Sequence, residues 1–299
     1  MKDGKKSHFK QIGTWRYYSI NSGSGNDKII YGYSTSLNHK ESDCHSAIEI
    51  SMFNKSEGVY TINGRDIEFR SGDIFVMPSN AIHVFSKIKK QGEFFNLHFE
   101  PRFIWRNLGT IGGDDYLSIF QGVDENFQCR LDRDNPAIAE ITELFLKIHR
   151  EFEEQNPAYS HMVMIYIQLI LISIYRNFDY HKKAKETVQD YNIAAIGKSI
   201  DYIDARFTEQ LKLEDIAAIA NLSPTYYGII FKRLNGITPW EYITSKRIEL
   251  ATQKLKSGDH STMIELAYAC GFNNTANFNR TFRKYTGQTP TEYKILTRY

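Results

Sequence analysis

The chain has 299 residues, 41% of them hydrophobic and 14% aromatic, which suits two packed domains and excludes a disordered chain. Its formal net charge of +2 excludes a strongly polybasic or polyacidic protein. The sign is unevenly spread, however: residues 196–299 hold 14 Lys/Arg against 10 Asp/Glu, whereas residues 1–195 hold 23 against 25. The basic part is therefore C-terminal. Cys44, Cys129 and Cys270 show no CxxC spacing, so the chain carries neither a disulfide framework nor a structural zinc motif, which suits a reducing cytoplasm. Met1 to Lys10 is polar and basic, without a signal-peptide pattern. The longest apolar stretch, Met162 to Tyr175, includes Gln168 and Ser173 and is too short to span a bilayer. The expectation is a cytoplasmic protein with no membrane partner.

Taken in chain order, the basic and aromatic start (Lys2, Lys5, Lys6, Trp15, Arg16, Tyr17) predicts a disordered tail with a first strand beginning near Trp15. Residues 29–100 then show short β-rich runs: Ile29 to Tyr31, Ala47 to Phe53, Val59 to Ile62, Ile67 to Phe69, Ile74 to Met77 and Phe94 to Phe99. Asn63-Gly64 predicts a type I′ hairpin and Ser71-Gly72-Asp73 another turn. Closely spaced antiparallel strands of this kind predict a sandwich or barrel.

Within this region Asp43, His45, Glu49 and His83 invite two readings. Imidazole and carboxylate suit iron, manganese or zinc, on which a metal-dependent enzyme could be built. Alternatively His45 and His83 hydrogen-bond a ligand or simply sit in a polar pocket, with Glu49 a strand residue; this second reading is adopted, with no metal and no cofactor. Phe53, Tyr60, Phe75, Phe85, Phe95 and Trp105 are core by default, though Phe53 and Trp105 are retained with His45, Glu49 and His83 as candidate ligand contacts. No G-x-S-x-G, P-loop or Rossmann glycine pattern suggests other catalysis.

Two helices follow at about 136–155 and 159–178. The first opposes a charged face to Ile138, Ile141, Leu144, Phe145 and Ile148; the second is apolar on nearly every side, leaving one side for a subunit contact. The polar stretch 181–190 reads as a linker.

Residues 217–242 are echoed in residues 267–293. Ser223 to Tyr227, Phe231-Lys232-Arg233, Gly236, Thr238-Pro239 and Glu241-Tyr242 match Asn274 to Phe278, Phe282-Arg283-Lys284, Gly287, Thr289-Pro290 and Glu292-Tyr293 at an offset of 51. Upstream the offset is 50, Ala217 matching Ala267, so one residue is inserted in the second turn. Each copy reads as helix-turn-helix, at about 213–234 and 262–285. Ser223 caps a helix with Pro224 at its first position, Thr262 to Glu265 forms a capping box, and Asn274 caps the last long helix. Pro239 to Lys256 reads as a connecting helix with Trp240, Ile243, Ala251 and Leu255 in phase. At about 25 Å long it could set two recognition helices into successive major grooves, about 34 Å apart. Arg247 lies on its apolar stripe, which predicts a tie to an acid such as Glu265.

Residues 190–299 closely resemble the DNA-binding domain of the AraC/XylS family of bacterial transcription regulators. The match rests on Ile200, Ile216-Ala217, Phe231-Lys232, Gly236, Arg247-Ile248, Cys270-Gly271-Phe272, Phe278, Arg280, Phe282-Arg283-Lys284, Gly287 and Pro290. Departures lie in the first unit, where Lys212 replaces a capping Ser or Thr, and Gly228 and Ile229 replace polar residues. The strand region is similar to the cupin-like sensor of the same family through Asp43-x-His45-x3-Glu49 and Gly72-x5-Pro78-x4-His83, with Asp43 in place of a His and Asn80 in place of a glycine.

The resemblance implies an α+β chain: an N-terminal cupin-like β-barrel with two helices, and an all-α C-terminal domain with two helix-turn-helix units. It implies a ligand-binding sensor (1–130), a helical dimerisation segment (131–180), a linker (181–190) and a DNA-binding domain (191–299). The implied function is a non-enzymatic, sequence-specific transcription regulator, an activator answering a small effector such as a sugar, working as a homodimer on double-stranded DNA with RNA polymerase. DNA contacts are expected from Ser223, Thr225, Tyr226, Gly228, Ile229, Lys232 and Arg233, and from Thr275, Ala276, Asn279, Arg280, Arg283 and Lys284. Two alternatives stand beside it: a metal-dependent cupin enzyme with a structural helical tail, and a DNA-binding regulator whose N-terminal half only oligomerises.

Overall fold

The computed structural model of the protein describes residues 8–12, 14–21, 28–37, 43–102, 118–120, 127–180, 193–257 and 262–296. The expected linker 181–190 and Trp105 lie outside these residues.

The N-terminal half is built from antiparallel strands β1 (His8–Ile12), β2 (Trp15–Asn21), β3 (Lys28–Ser34), β4 (Ile48–Asn54), β5 (Glu57–Ile62), β6 (Arg65–Phe69), β7 (Ile74–Met77), β8 (His83–Lys90) and β9 (Glu93–Phe99). A six-stranded sheet runs in the order β1-β2-β3-β9-β4-β7 and faces a three-stranded sheet, β6-β5-β8. Asn63 and Gly64 both have positive φ, 49° and 78°, as the type I′ turn between β5 and β6 requires. Asn80 sits at φ 64°, a left-handed position that Asn tolerates best after Gly, which explains its standing where a glycine was expected.

Two strands depart from the sequence expectation. β1 pairs with β2 from His8↔Ser19 to Ile12↔Trp15, so ordered pairing begins before Trp15. β8 lies at an edge of the small sheet, against β5. Its solvent-facing lysines break the apolar alternation, a common protection of an exposed edge.

The large sheet is buried on both faces, and alternation sorts its side chains. Ile48, Ile50 and Met52 of β4 and Phe95, Leu97 and Phe99 of β9 join the core that holds the two helices α1 (Ala137–Glu154) and α2 (Tyr159–Asn177). Phe53 and Phe94 point the other way, into the space between the sheets with Tyr60, Phe69 and Phe75. Tyr31 stacks on Phe152 at 4.8 Å, fastening β3 to α1. The helices of 131–180 thus cover the sheet as part of one core. On their outer surface Leu146, Ile165 and Leu169 stay exposed.

The C-terminal half consists of α3 (Ile193–Arg206), α4 (Leu213–Ile219), α5 (Pro224–Asn235), α6 (Pro239–Lys256), α7 (Met263–Ala269), α8 (Thr275–Thr286) and α9 (Pro290–Leu296). Residues 193–206 of α3 pack with the first unit, and the second unit has its own cluster around Phe278 and Phe282. The two halves are docked. Lys246 Nζ donates to Glu100 Oε1 at 2.5 Å, Glu249 accepts the Ser46 amide at 2.7 Å, and buried Arg102 pairs with Asp204 at 2.9 Å. No helix among the described residues is long and apolar enough to cross a membrane.

Candidate functional site

Each C-terminal unit sets a short helix against a recognition helix. Ala217 and Ala267 are fully buried at the crossings, where a larger side chain would force the helices apart. Ser223 Oγ accepts from the Tyr226 amide and Asn274 Oδ1 from the Asn277 amide, as their cap positions predict. Gly236 and Gly287 end the recognition helices at φ 76° and 75°. The repeat extends to the following helices, because Thr238-Glu241 and Thr289-Glu292 form the same reciprocal hydrogen bonds. Lys212 makes no side-chain capping bond at the start of α4, so the first unit is the weaker copy at that end too.

Arg247 corrects one expectation. It donates to the carbonyls of Phe207 at 2.6 Å and Glu209 at 2.8 Å, while the Glu265 carboxylate serves the cap of α7. It is a structural tie, as its apolar stripe suggested, but through backbone oxygens. Trp240 is a second correction: it is 45% exposed despite its phase with buried Ile243 and Ala251.

The recognition helices divide cleanly. Tyr227, Ile230, Phe231 and Leu234 of α5 and Phe278 and Phe282 of α8 face inward. Ser223, Thr225, Tyr226, Ile229, Ala276, Asn279 and Arg280 are exposed, and Gly228 and Thr275 half-buried. A side chain at Gly228 would meet open space. Arg280 rests on Asn277 Oδ1 at 3.2 Å, a single exposed bond that leaves the rest of its guanidinium fork outward. Lys232, Arg233 and Lys284, in the last helical turns, line a cleft of about 410 Å³ with Cys44, Ile48, Pro78 to Asn80, Ile82 and Pro101 of the N-terminal half. Arg283 is exposed outside that lining.

In the N-terminal half, His45, Glu49 and His83 do come together. Glu49 is fully buried; its Oε1 accepts from Ser51 at 2.7 Å and Tyr60 at 3.4 Å. Its Oε2 faces Nε2 of His45, His83 and His98 at 3.3, 3.2 and 3.1 Å. Burial works against a charged Glu49, but the imidazoles of His83 and His98 and the bonds from His45 and His83 hold its pKa well below the usual range. Burial likewise opposes charge on His45, yet the bond to Glu49 and the nearby Asp43 raise its pKa to about 9. His98 goes down, through burial and the charge on His45.

His98 was absent from the sequence reading. It stands directly across from Glu49 in the β4–β9 register. The signal was there in Asn96 and His98, polar residues alternating with Phe95, Leu97 and Phe99, which put them on the inward face. Phe53 corrects the opposite way. It is fully buried, stacked on Phe69 at 3.9 Å, and belongs to the core rather than to a ligand surface. A small cavity of about 60 Å³ opens beside the cluster, lined by Trp15, Tyr17, Asp43, Tyr60, His83, Phe85, Phe94, Asn96 and His98 among others.

A paired-sheet domain carrying a buried polar cluster, docked on two copies of a helix-turn-helix, defines a regulator class of protein: a sensor joined to a nucleic-acid reader. Residues 30–171 match the AraC-like ligand binding domain, and residues 216–294 match a helix-turn-helix domain. The chain belongs to the AraC/XylS family, and the relatives matched over most of both chains are transcription regulators, not enzymes, so the cupin-enzyme alternative falls. It is 22% identical to the lactose operon transcription activator of Staphylococcus xylosus over 82% of both chains. It is 30% identical to the probable transcriptional regulator LumQ of Photobacterium leiognathi, over 33% of this chain and only 39% of that relative. The structure of ToxT from Vibrio cholerae shares the fold, with a TM-score of 0.52 at 15% identity over 91% of this chain and 99% of that one.

Proposed function

We propose that the chain is a sequence-specific DNA-binding transcription activator that responds to a small polar effector, a carbohydrate for example. The observation that carries this reading is the duplicated unit, two capped recognition helices with exposed outer faces joined by α6. Such helices enter successive major grooves and read base edges with the residues near their N-terminal ends. Thr225, Tyr226 and Ile229 serve in the first unit, and Thr275, Ala276, Asn279 and Arg280 in the second. Lys232, Arg233, Arg283 and Lys284 hold phosphates. The lactose operon activator's resemblance over most of both chains supports both the activating role, with RNA polymerase as partner, and a sugar effector. Exposed Ile165 and Leu169, one turn apart on α2, support pairing of two subunits, and the reading places the protein in the cytoplasm.

The effector has two possible seats. Aromatic rings and polar groups at the mouth beside His83 suit a sugar, but a cavity of about 60 Å³ admits one only after the mouth widens. The cleft of about 410 Å³ between the halves is of ligand size as it stands, and an occupant there touches both sensor and reader. Footprinting of the DNA flanking its own gene, with and without candidate sugars, tests the proposal. Protection of a defined site that shifts with one sugar supports it, and uniform, salt-sensitive coating of all DNA refutes it.

A further inference from the structure

We infer a metal site in the N-terminal half: His45, His83, His98 and Glu49, with Asp43 at the rim, bind one divalent first-row transition-metal ion. Nε2 of the three imidazoles stands 3.1–3.3 Å from the same Glu49 oxygen. Neighbouring donors bound to such an ion at about 2.0–2.2 Å lie about 2.8–3.6 Å apart at octahedral or tetrahedral angles. Each imidazole thus stands from Glu49 Oε2 as neighbouring donors of one shell do, and the donor atoms of His45, Glu49 and His98 all lie within 4.8 Å of one another. Asp43 offers a carboxylate oxygen within 4.8 Å of the donor atoms of His45 and His83.

Hydrogen bonding leaves the right atoms over as donors. Nδ1 of His45 and of His83 lies 3.0 and 2.9 Å from the carbonyls of Ala47 and Ala81. Each carbonyl takes the ring N–H and turns the Nε2 lone pair toward the cluster, as outer carbonyls do for metal-binding histidines. Ser51 and Tyr60 occupy Glu49 Oε1 and leave Oε2 for the ion.

Without an ion the same atoms conflict. A ring whose Nδ1–H is engaged presents Nε2 as an acceptor to a carboxylate that only accepts. Protonated, His45 and His83 can each donate to Glu49 Oε2, which still leaves His98. His98 carries the remainder of the problem: its Nε2 is buried, 3.1 Å from Oε2, and has no hydrogen-bond partner. A cation accepts all the lone pairs at once. Imidazole with carboxylate selects zinc, iron, manganese, cobalt or nickel over calcium or magnesium. The adjoining cavity, bordered by Asp43, His83 and His98, leaves space for water to complete the shell. The inference reverses the expectation of no metal and goes beyond the regulator reading, because loading is measured with neither DNA nor effector.

The test uses full-length protein stripped with a chelator, titrated with Zn2+ alone by calorimetry and with Co2+ alone by visible absorption. One equivalent per chain is expected, with cobalt bands of a nitrogen–oxygen shell. His98→Ala and Glu49→Gln are expected to weaken Zn2+ binding by more than about 100-fold, beyond the effect of losing an outer-shell partner, while Arg280→Ala binds as the parent does. Failure of the folded parent to bind one equivalent, or unchanged binding by both ligand variants, overturns the site. If the variants do not fold, the parent's cobalt spectrum decides alone: that of the hydrated ion overturns the assignment, and imidazole–carboxylate bands support it.

Discussion

At the residue scale, the proposed reading gives Arg280 the role of discriminating between bases. It is exposed on α8, opposite buried Phe278 and Phe282, with one bond to Asn277. A bidentate Arg–guanine pair discriminates by about 1–3 kcal/mol. Arg280→Ala is therefore expected to close most of the gap between operator and scrambled DNA, and Thr225→Ala to close less, as gel-shift titrations against both would read. Equal loss on matched and scrambled DNA would assign Arg280 to phosphate. The two turns supply a second contrast. Asn221 and Gly271 occupy equivalent positions with φ 55° and 86°. A Cβ on Gly271 would lie 2.7 Å from the Thr208 carbonyl oxygen, with left-handed strain of about 1–3 kcal/mol in addition. Gly271→Ala should lower the unfolding free energy by more than that, and Asn221→Gly should change it by less than about 1 kcal/mol. Urea denaturation of the pair decides. Gly271 and Arg280 were legible in the sequence because the repeat aligned them; for His98 alternation showed the inward face, but only the β4–β9 register brings it opposite Glu49.

At the element scale, periodicity and caps predicted the helices well. α6 runs from Pro239 to Lys256 as its apolar phase and capping Thr238 required, and α8 starts at the residue after Asn274. Strands were less legible where an edge faces solvent, as in β8, or where pairing comes from a neighbour, as in β1. The last turns of α5 and α8 carry Lys232, Arg233, Arg283 and Lys284, too far from the helix N-termini for easy access to bases. Each phosphate contact removed should flatten the dependence of log affinity on log salt by about 0.9. Arg283→Ala, outside the cleft lining, is the plainest case. Lys232→Ala and Lys284→Ala should do the same in the DNA-bound arrangement, and an unchanged slope for those two alone would mean that they stay with the cleft.

At the scale of the whole molecule, the docking of the halves rests on buried charge. Burial raises the Glu100 pKa, but Lys246 and Arg102 outweigh it and leave the pKa lowered; Lys246 is raised well above its usual value by Glu100 despite burial. A depressed carboxylate contributes stability above its unfolded pKa of about 4.3 and loses it as pH falls through the folded value. A raised lysine contributes below about 10.4 and loses its share as pH climbs through its folded value. The pair should thus hold steadily between those limits. Removing one partner of a buried pair costs about 3–5 kcal/mol, so Glu100→Gln should destabilise the docked form by up to that much at pH 7. The difference in melting between parent and Glu100→Gln should shrink below about pH 4.3. A difference that persists undiminished in acid would mean that the substitution acts through packing.

The sequence by itself determined what is local or repeated: helix starts and stops, the hairpin at Asn63-Gly64, the duplicated reader and its outward faces. These follow from a period of 3.6 or 2 and from cap chemistry, which act within a few residues. Only the tertiary structure decided which side chains meet across the sheets and between the halves. It gathered His98 with Glu49, His45 and His83, withdrew Phe53 into the core, gave Arg247 two carbonyls in place of a carboxylate, and turned Lys232 and Lys284 toward the cleft. The physical reason is that strand register and domain docking are set by summed packing over many distant residues, and no single stretch of chain encodes that sum.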